Sequence, residues 1–134
     1  MNFADVRACL EKDGWPVEVV SETTLRSRFR GGDRIFPVFV HLEPAYVTFA
    51  IIPFAHLPEE DELCADVAEH LLRLNREMNM AKFSADEDGD VVLSVEYRIE
   101  NLDPSEVRDA LDVLSFYAEK YREDIARVSG QASA

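Results

Sequence analysis

The chain has 134 residues, 47% of them hydrophobic and 31% charged, with 14 Lys/Arg against 27 Asp/Glu for a formal net charge of −13. That composition excludes a disordered chain, and no apolar run approaches the ~20 residues of a membrane-spanning helix. A chain of this sign repels phosphate backbones, so neither nucleic acid nor membrane is an expected partner and a basic protein partner is favoured.

The charge is uneven. Residues 1–58 hold 6 Lys/Arg against 7 Asp/Glu, and residues 59–134 hold 8 against 20. The length suits one domain with a sizeable core, here taken as residues 1–129, and the small-residue run that ends the chain reads as a flexible tail over 130–134. Cys9 and Cys64 lie far apart among apolar neighbours, with no CxxC motif, and read as two reduced, buried thiols. The first dozen residues carry charges and no apolar signal core, so the expected compartment is the cytoplasm.

In chain order, Phe3, Val6 and Leu10 recur at helical spacing until Gly14 ends the first helix. WPVEVV and TTLRSRFR follow as one extended stretch interrupted near Ser21-Glu22, and Gly31-Gly32-Asp33 turns the chain. RIFPVFVHL and YVTFAIIPF complete a three-strand meander. Their near-continuous apolar character suits strands covered on both faces, by helices on one and a partner on the other. Pro37 and Pro53 lack an N–H, which places them at strand ends, bulges or an edge. Leu57 to Glu62 reads as the start of a second helix, with Pro58 in its first turn and four carboxylates at the positive end of the dipole. Leu63, Val67, Leu71, Leu74 and Met78 then form one stripe, widened by Cys64, Ala68 and Leu72.

SADEDGDVV, Ser84–Val92, sets Asp86, Asp88 and Asp90 around Gly89. A calcium loop counted from Asp86 needs its glycine at position 6 and a glutamate at 12, where Val91 and Tyr97 stand instead. Asp88-Gly89 between apolar runs is the signal of a two-residue hairpin turn. In the strand beyond it Val91, Leu93, Val95, Tyr97 and Ile99 face inward, while Val92, Ser94, Glu96 and Arg98 face out. Asp103, Pro104 and Glu106 then make an N-cap, first helical position and capping box for a third helix, which runs to about Val128. The order α-β-β-β-α-β-β-α predicts an α+β fold, an antiparallel five-strand sheet with three helices.

The chemistry-bearing residues gather into no catalytic pattern. His41, His56 and His70 sit in no metal-binding spacing, no serine lies in a GxSxG elbow, and Gly31-Gly32 is too short for a phosphate loop. No catalytic residue, metal or cofactor is assigned, and an enzyme is not expected. Arg26, Arg28 and Arg30 share one face of a strand. They read either as an anion-binding stripe, the basis of an alternative reading as a small-ligand or anion sensor, or as a charged outer strand protected against edge pairing.

The run LLRLNREMNMAKFSADEDGDVVLSVEYRIENLDPSEVRDALDVLSFYAEKY, with DGWPV before it and VFVHLEPAYVTFAIIPFAHLPEE between, resembles the YbjN family, described as bacterial sensory transduction regulators. That family shares its fold with the type III secretion chaperones. The resemblance implies an acidic, usually homodimeric protein that holds a segment of a partner protein, chaperone-like or regulatory, with no catalytic residues. It also implies a dimer formed around helix two and the adjoining hairpin. The wide apolar face of helix two agrees, one stripe serving the core and the other a second subunit. The candidate interface is Leu71, Leu72, Leu74, Met78 and Met80, and a monomer with a wide core-facing helix is the competing account.

Overall fold

The computed structural model describes residues 1–130, so most of the expected tail, residues 131–134, lies outside the described residues. Three helices, α1 (Phe3–Lys12), α2 (Asp61–Glu77) and α3 (Pro104–Val128), pack on one face of an antiparallel sheet. Its strands are β1 (Glu18–Val19), β2 (Thr24–Gly31), β3 (Arg34–Leu42), β4 (Tyr46–His56), β5 (Ala81–Ala85) and β6 (Asp90–Arg98), in the order β1-β2-β3-β4-β6-β5.

The sheet has six strands where the sequence predicts five. The chain reverses at Ser21–Thr23, where the Val20 and Ser21 N–H groups both donate to the Thr24 carbonyl, so Glu18 and Val19 pair back on Arg26 and Leu25. A strand of two residues is too short to carry a periodicity. The second helix also starts later than expected. The Glu60 carboxylate accepts the Glu62 and Leu63 N–H groups and fixes the first turn there, leaving Pro58 outside the helix. The acidic hairpin is joined by four residues, 86–89, rather than by a two-residue turn. Asp86 Oδ1 accepts the Asp88 and Asp90 N–H groups, and the chain closes through Gly89 at φ +79°, which a side chain disfavours.

The inner face carries the core. Leu25 of β2, Phe36, Val38 and Val40 of β3, Val47, Phe49 and Ile51 of β4, and Val91, Leu93 and Val95 of β6 are all buried. Burial contributes about 1.5–3 kcal/mol for each of the larger side chains. α3, about 37 Å long by its 25 residues, crosses β2, β4 and β6 with Val107, Leu111, Leu114, Ala118 and Ile125 turned to the sheet. An unbroken file of aromatic contacts runs through this core: Trp15, Phe29, Phe36, Phe54, Phe83, Tyr121, Tyr117 and Phe116, with neighbouring centroids 5.2–6.3 Å apart. It joins the β2 side of the molecule to the outer surface of α3.

Both internal prolines sit where pairing stops. The β3–β4 ladder begins at Val38–Ile51, one residue past Pro37, and the β4–β6 register breaks between Ile51 and Ala55, around Pro53. The two residues without an N–H therefore mark one common gap in the ladders. Cys9 and Cys64 are free and half-buried rather than fully buried, because each stands at the border of its helix's apolar face.

Candidate protein-binding surfaces

The outer face of the sheet carries no covering element among the described residues. The register places Glu18, Arg26, Phe39, Ala50, Ser94 and Lys82 in one row across all six strands. Beside it Thr24, His41, Thr48 and Glu96 form a polar row, in which Thr24 Oγ1 and His41 Nδ1 lie 2.8 Å apart and Thr48 donates to Glu96 at 3.3 Å. On the other side lie Pro37, Ile52 and Val92, all half-buried, and Ile35, which is 53% exposed. This is an apolar centre with a polar flank.

The arginine stripe borders it. Arg26, Arg28 and Arg30 are all exposed and pair across to Phe39, Pro37 and Ile35, with the Arg26 guanidinium 5.9 Å from the Phe39 ring centre. Between the stripe and the segment entering β1 lies an open groove of about 420 Å³, lined by Pro16, Val17, Glu18, Arg26, Arg28, Ile35 and Pro37 among others. The backbone there is unfinished. The Val20–Thr24 bond and the Glu18–Arg26 pairing direct the N–H and C=O of Arg28 and Arg30 toward this side, and β1 stops before reaching them. The residue opposite Arg28 is Pro16, which has no N–H to offer.

The other edge is closed at its centre. Asn75 of α2 donates from Nδ2 to the Phe83 carbonyl at 3.0 Å and accepts the Phe83 N–H on Oδ1 at 2.6 Å, replacing a neighbouring strand with one side-chain amide. Ala81 donates to the Asn79 carbonyl. Three large apolar side chains on α2, α3 and the segment between α2 and β5 are exposed: Leu72 at 70%, Phe116 at 60% and Met80 at 52%. The Asn79 N–H donates to the Tyr117 hydroxyl and Tyr117 lies against Phe116, which brings the end of α2 beside the middle of α3. Of the residues named from sequence for a dimer seam, Leu71, Leu74 and Met78 are buried in the core, while Leu72 and Met80 stand at the surface. Met80 does so at φ +70°, a strained conformation for a side chain of its size. Phe116 is the member that sequence reasoning missed, since a single aromatic on the polar face of α3 gives no periodic signal.

The titratable groups form local pairs. His56 Nδ1 meets Asp90 Oδ1 at 2.6 Å. His70 Nε2 meets Asp124 Oδ2 at 2.5 Å, and Asp124 also takes Arg127 at 2.6 Å, which ties α2 to α3. Burial, then the carboxylates of Asp13 and Asp5, raise the Cys9 thiol pKa, so this sulfur is held as the unreactive thiol. No group of three or more metal-ligating side chains is gathered among the described residues. No helix among them is long and apolar enough to cross a membrane. What the surface provides is an open strand edge, apolar rows and arginines, the elements of peptide recognition.

Residues 17–133 match the family model TY-Chap1, described as "T3SS (YopN, CesT) and YbjN peptide-binding chaperone 1". The chain belongs to this family. Its function class is accordingly that of the peptide-binding chaperones. Solved structures of similar fold include YbjN of E. coli, 13% identical over 92% of this chain and 93% of that one, with a TM-score of 0.67. A chain of the ExsC–ExsE complex is 18% identical over 92% and 96%, with a TM-score of 0.64. A chain of the heterodimeric ExoU–SpcU complex from the type III secretion system of Pseudomonas aeruginosa is 20% identical over 90% and 94%, with a TM-score of 0.59. At these identities the likeness is one of fold. No curated protein matches the chain.

Proposed function

We propose that the protein is a cytoplasmic, non-enzymatic chaperone that works as a homodimer and holds an extended segment of a partner protein along the open side of β2. The observation that carries this reading is the groove itself. It joins the open backbone of Arg28, apolar walls at Val17, Ile35 and Pro37, and the heads of Arg26 and Arg28 within one concavity of about 420 Å³. An added strand takes affinity from main-chain hydrogen bonds and specificity from alternate side chains.

The groove narrows the partner expected from net charge alone. Residues entering it are apolar or acidic, because they meet arginine, whereas basic residues elsewhere in the partner face the acidic surfaces of α2 and α3. The second subunit is placed on Leu72, Met80 and Phe116. These supply an apolar centre for an interface that needs roughly 800 Å² per partner. A strained, exposed Met80 is a feature that a lone monomer has no reason to keep.

Binding is tested by panning a random peptide library against the full chain and measuring the selected peptides by fluorescence anisotropy. Selected sequences should alternate apolar and acidic residues, and Arg26→Ser with Arg28→Ser should weaken them about tenfold with a flatter salt dependence. Peptides indifferent to both arginines would overturn the placement. Light scattering with Leu72→Glu tests the dimer: because Leu72 is exposed, a folded monomer is the expected result.

A further inference from the structure

A second arginine site lies on the helix-covered side, away from the stripe. Arg34 opens β3 and Arg122 belongs to the C-terminal half of α3, and the two line one cavity of about 250 Å³ with Phe54, Ala55, His56 and Ala126. Both side chains are half-buried. The Arg34 guanidinium lies over the Phe36 ring at 4.4 Å, with Phe54 at 5.9 Å, and its one hydrogen bond among the described residues goes from Nη2 to the Pro53 carbonyl at 3.2 Å. No carboxylate among the described residues pairs with it. Burial, and then the like charge of Arg122, lower its pKa.

Among the described residues Arg122 has ion-pair partners only at the rim. Nη1 reaches Asp33 Oδ1 at 3.2 Å and Nη2 reaches Glu123 Oε1 at 3.7 Å, and both carboxylates are largely exposed, where such pairs contribute little. Its Nε is buried with no hydrogen-bond partner among the described residues. The chain makes room for this head group. Gly32 at φ +64° lies against the guanidinium, and a Cβ there would overlap it. His56, at the mouth, is held by Asp90. In a protein of net charge −13, two guanidinium groups face a shared cavity with unused donors, apolar walls and, among the described residues, no internal counter-ion.

We infer that the Arg34–Arg122 cavity is a binding site for one small oxyanion, a phosphate or a carboxylate, clamped between the two guanidinium forks. Planar forks match the paired oxygens of such an anion, and charge-assisted bonds of this kind are strong where water is scarce. The site is separate from the β2 groove, so it stands or falls independently of the peptide-binding reading.

The full chain is titrated with inorganic phosphate and, separately, with glutarate at constant ionic strength, and the arginine Nε–H signals are followed by ¹H–¹⁵N NMR. A saturable shift of the Arg122 and Arg34 signals is expected with at least one probe. Saturation by phosphate alone identifies free phosphate as the source, and saturation by glutarate alone identifies a carboxylate, as on an acidic side chain. Arg122→Met and Arg34→Met should each weaken binding about tenfold or more, while Arg28→Ser should leave it unchanged. If Arg34→Met fails to fold by circular dichroism, Arg34→Lys, which keeps the charge and loses the fork, replaces it, and Gly32→Ala displaces the Arg122 head group independently. No saturable response to either probe, or one undiminished in the Arg122 and Arg34 variants, would overturn the site.

Discussion

The two edges of the sheet are finished by opposite means. At β5 the outward N–H and C=O of Phe83 are both taken by Asn75, and the Ala81 N–H by the Asn79 carbonyl, so α2 does for this edge what a seventh strand would do. At β2 the edge is covered for two residues by β1 and then left open at Arg28 and Arg30, beside a proline that cannot donate. An unpaired edge is a hazard for any soluble sheet, and charge along it is a common protection. Here one edge is sealed with a neutral amide and the other is guarded by arginines that repel one another until an acidic partner arrives. The difference separates an edge that must never pair from one that is kept available.

The largest test of this contrast is at Asn75. Asn75→Leu strips both bonds from Phe83, leaves two half-buried backbone groups unsatisfied, and should cost about 2 kcal/mol in chemical denaturation. The β5 edge then becomes the more adhesive of the two, and light scattering should show association that Arg28→Ser does not suppress. Asn75→Asp keeps the acceptor for the Phe83 N–H but sets a carboxylate against its carbonyl, so it should fall between. Equal stability of all three proteins would mean that the edge is closed by α2 packing and not by the amide.

A smaller effect, of opposite sign, is expected at Met80. Its φ of +70° suits glycine, so Met80→Gly should stabilise the monomer by about 1 kcal/mol in denaturant while shifting the dimer–monomer balance toward monomer. A gain in stability with unchanged association would remove Met80 from the proposed seam. Leu72→Glu then separates the seam from the core, because Leu71 and Leu74, its buried neighbours on α2, are untouched.

These sites differ in how far the amino-acid order exposes them. The inward alternation of Val91, Leu93 and Val95, the capping box of Asp103 and Glu106 behind Pro104, and the α3 stripe are local patterns, and they read out as they fold. Helix two shows the boundary of that method. Its spacing separates Leu71, Leu74 and Met78 from Leu72, but periodicity says only that faces differ, and the burial of one and exposure of the other depend on where β5 and α3 arrive. β1 was invisible because two residues have no period, and the groove because Pro16, Arg28, Ile35 and Pro37 meet through strand register across two turns. Arg34 and Arg122 are 88 positions apart and come together only through the α3 crossing. Asn75 is a single polar residue near the end of α2, and its use as a substitute strand is legible only once Phe83 stands beside it.

The smallest effect on stability, and the sharpest on function, belongs to Arg28→Pro. The Arg28 N–H points to the open side of β2, so proline there removes no ladder bond of the free protein, and its cross-strand neighbour Pro37 shows that this row tolerates the ring. The preceding residue, Ser27, is already extended, as a proline requires. The cost in chemical denaturation should therefore stay within about 1 kcal/mol. An incoming strand, by contrast, loses a main-chain donor at the centre of its site and meets a ring where it needs close approach. Peptides selected on the native chain should lose most of their affinity, well beyond what Arg28→Ser removes, because serine deletes the charge and keeps the N–H. If the two variants weaken binding equally, the partner reads the arginine head and not the backbone, and the segment lies across the outer face instead of extending the sheet.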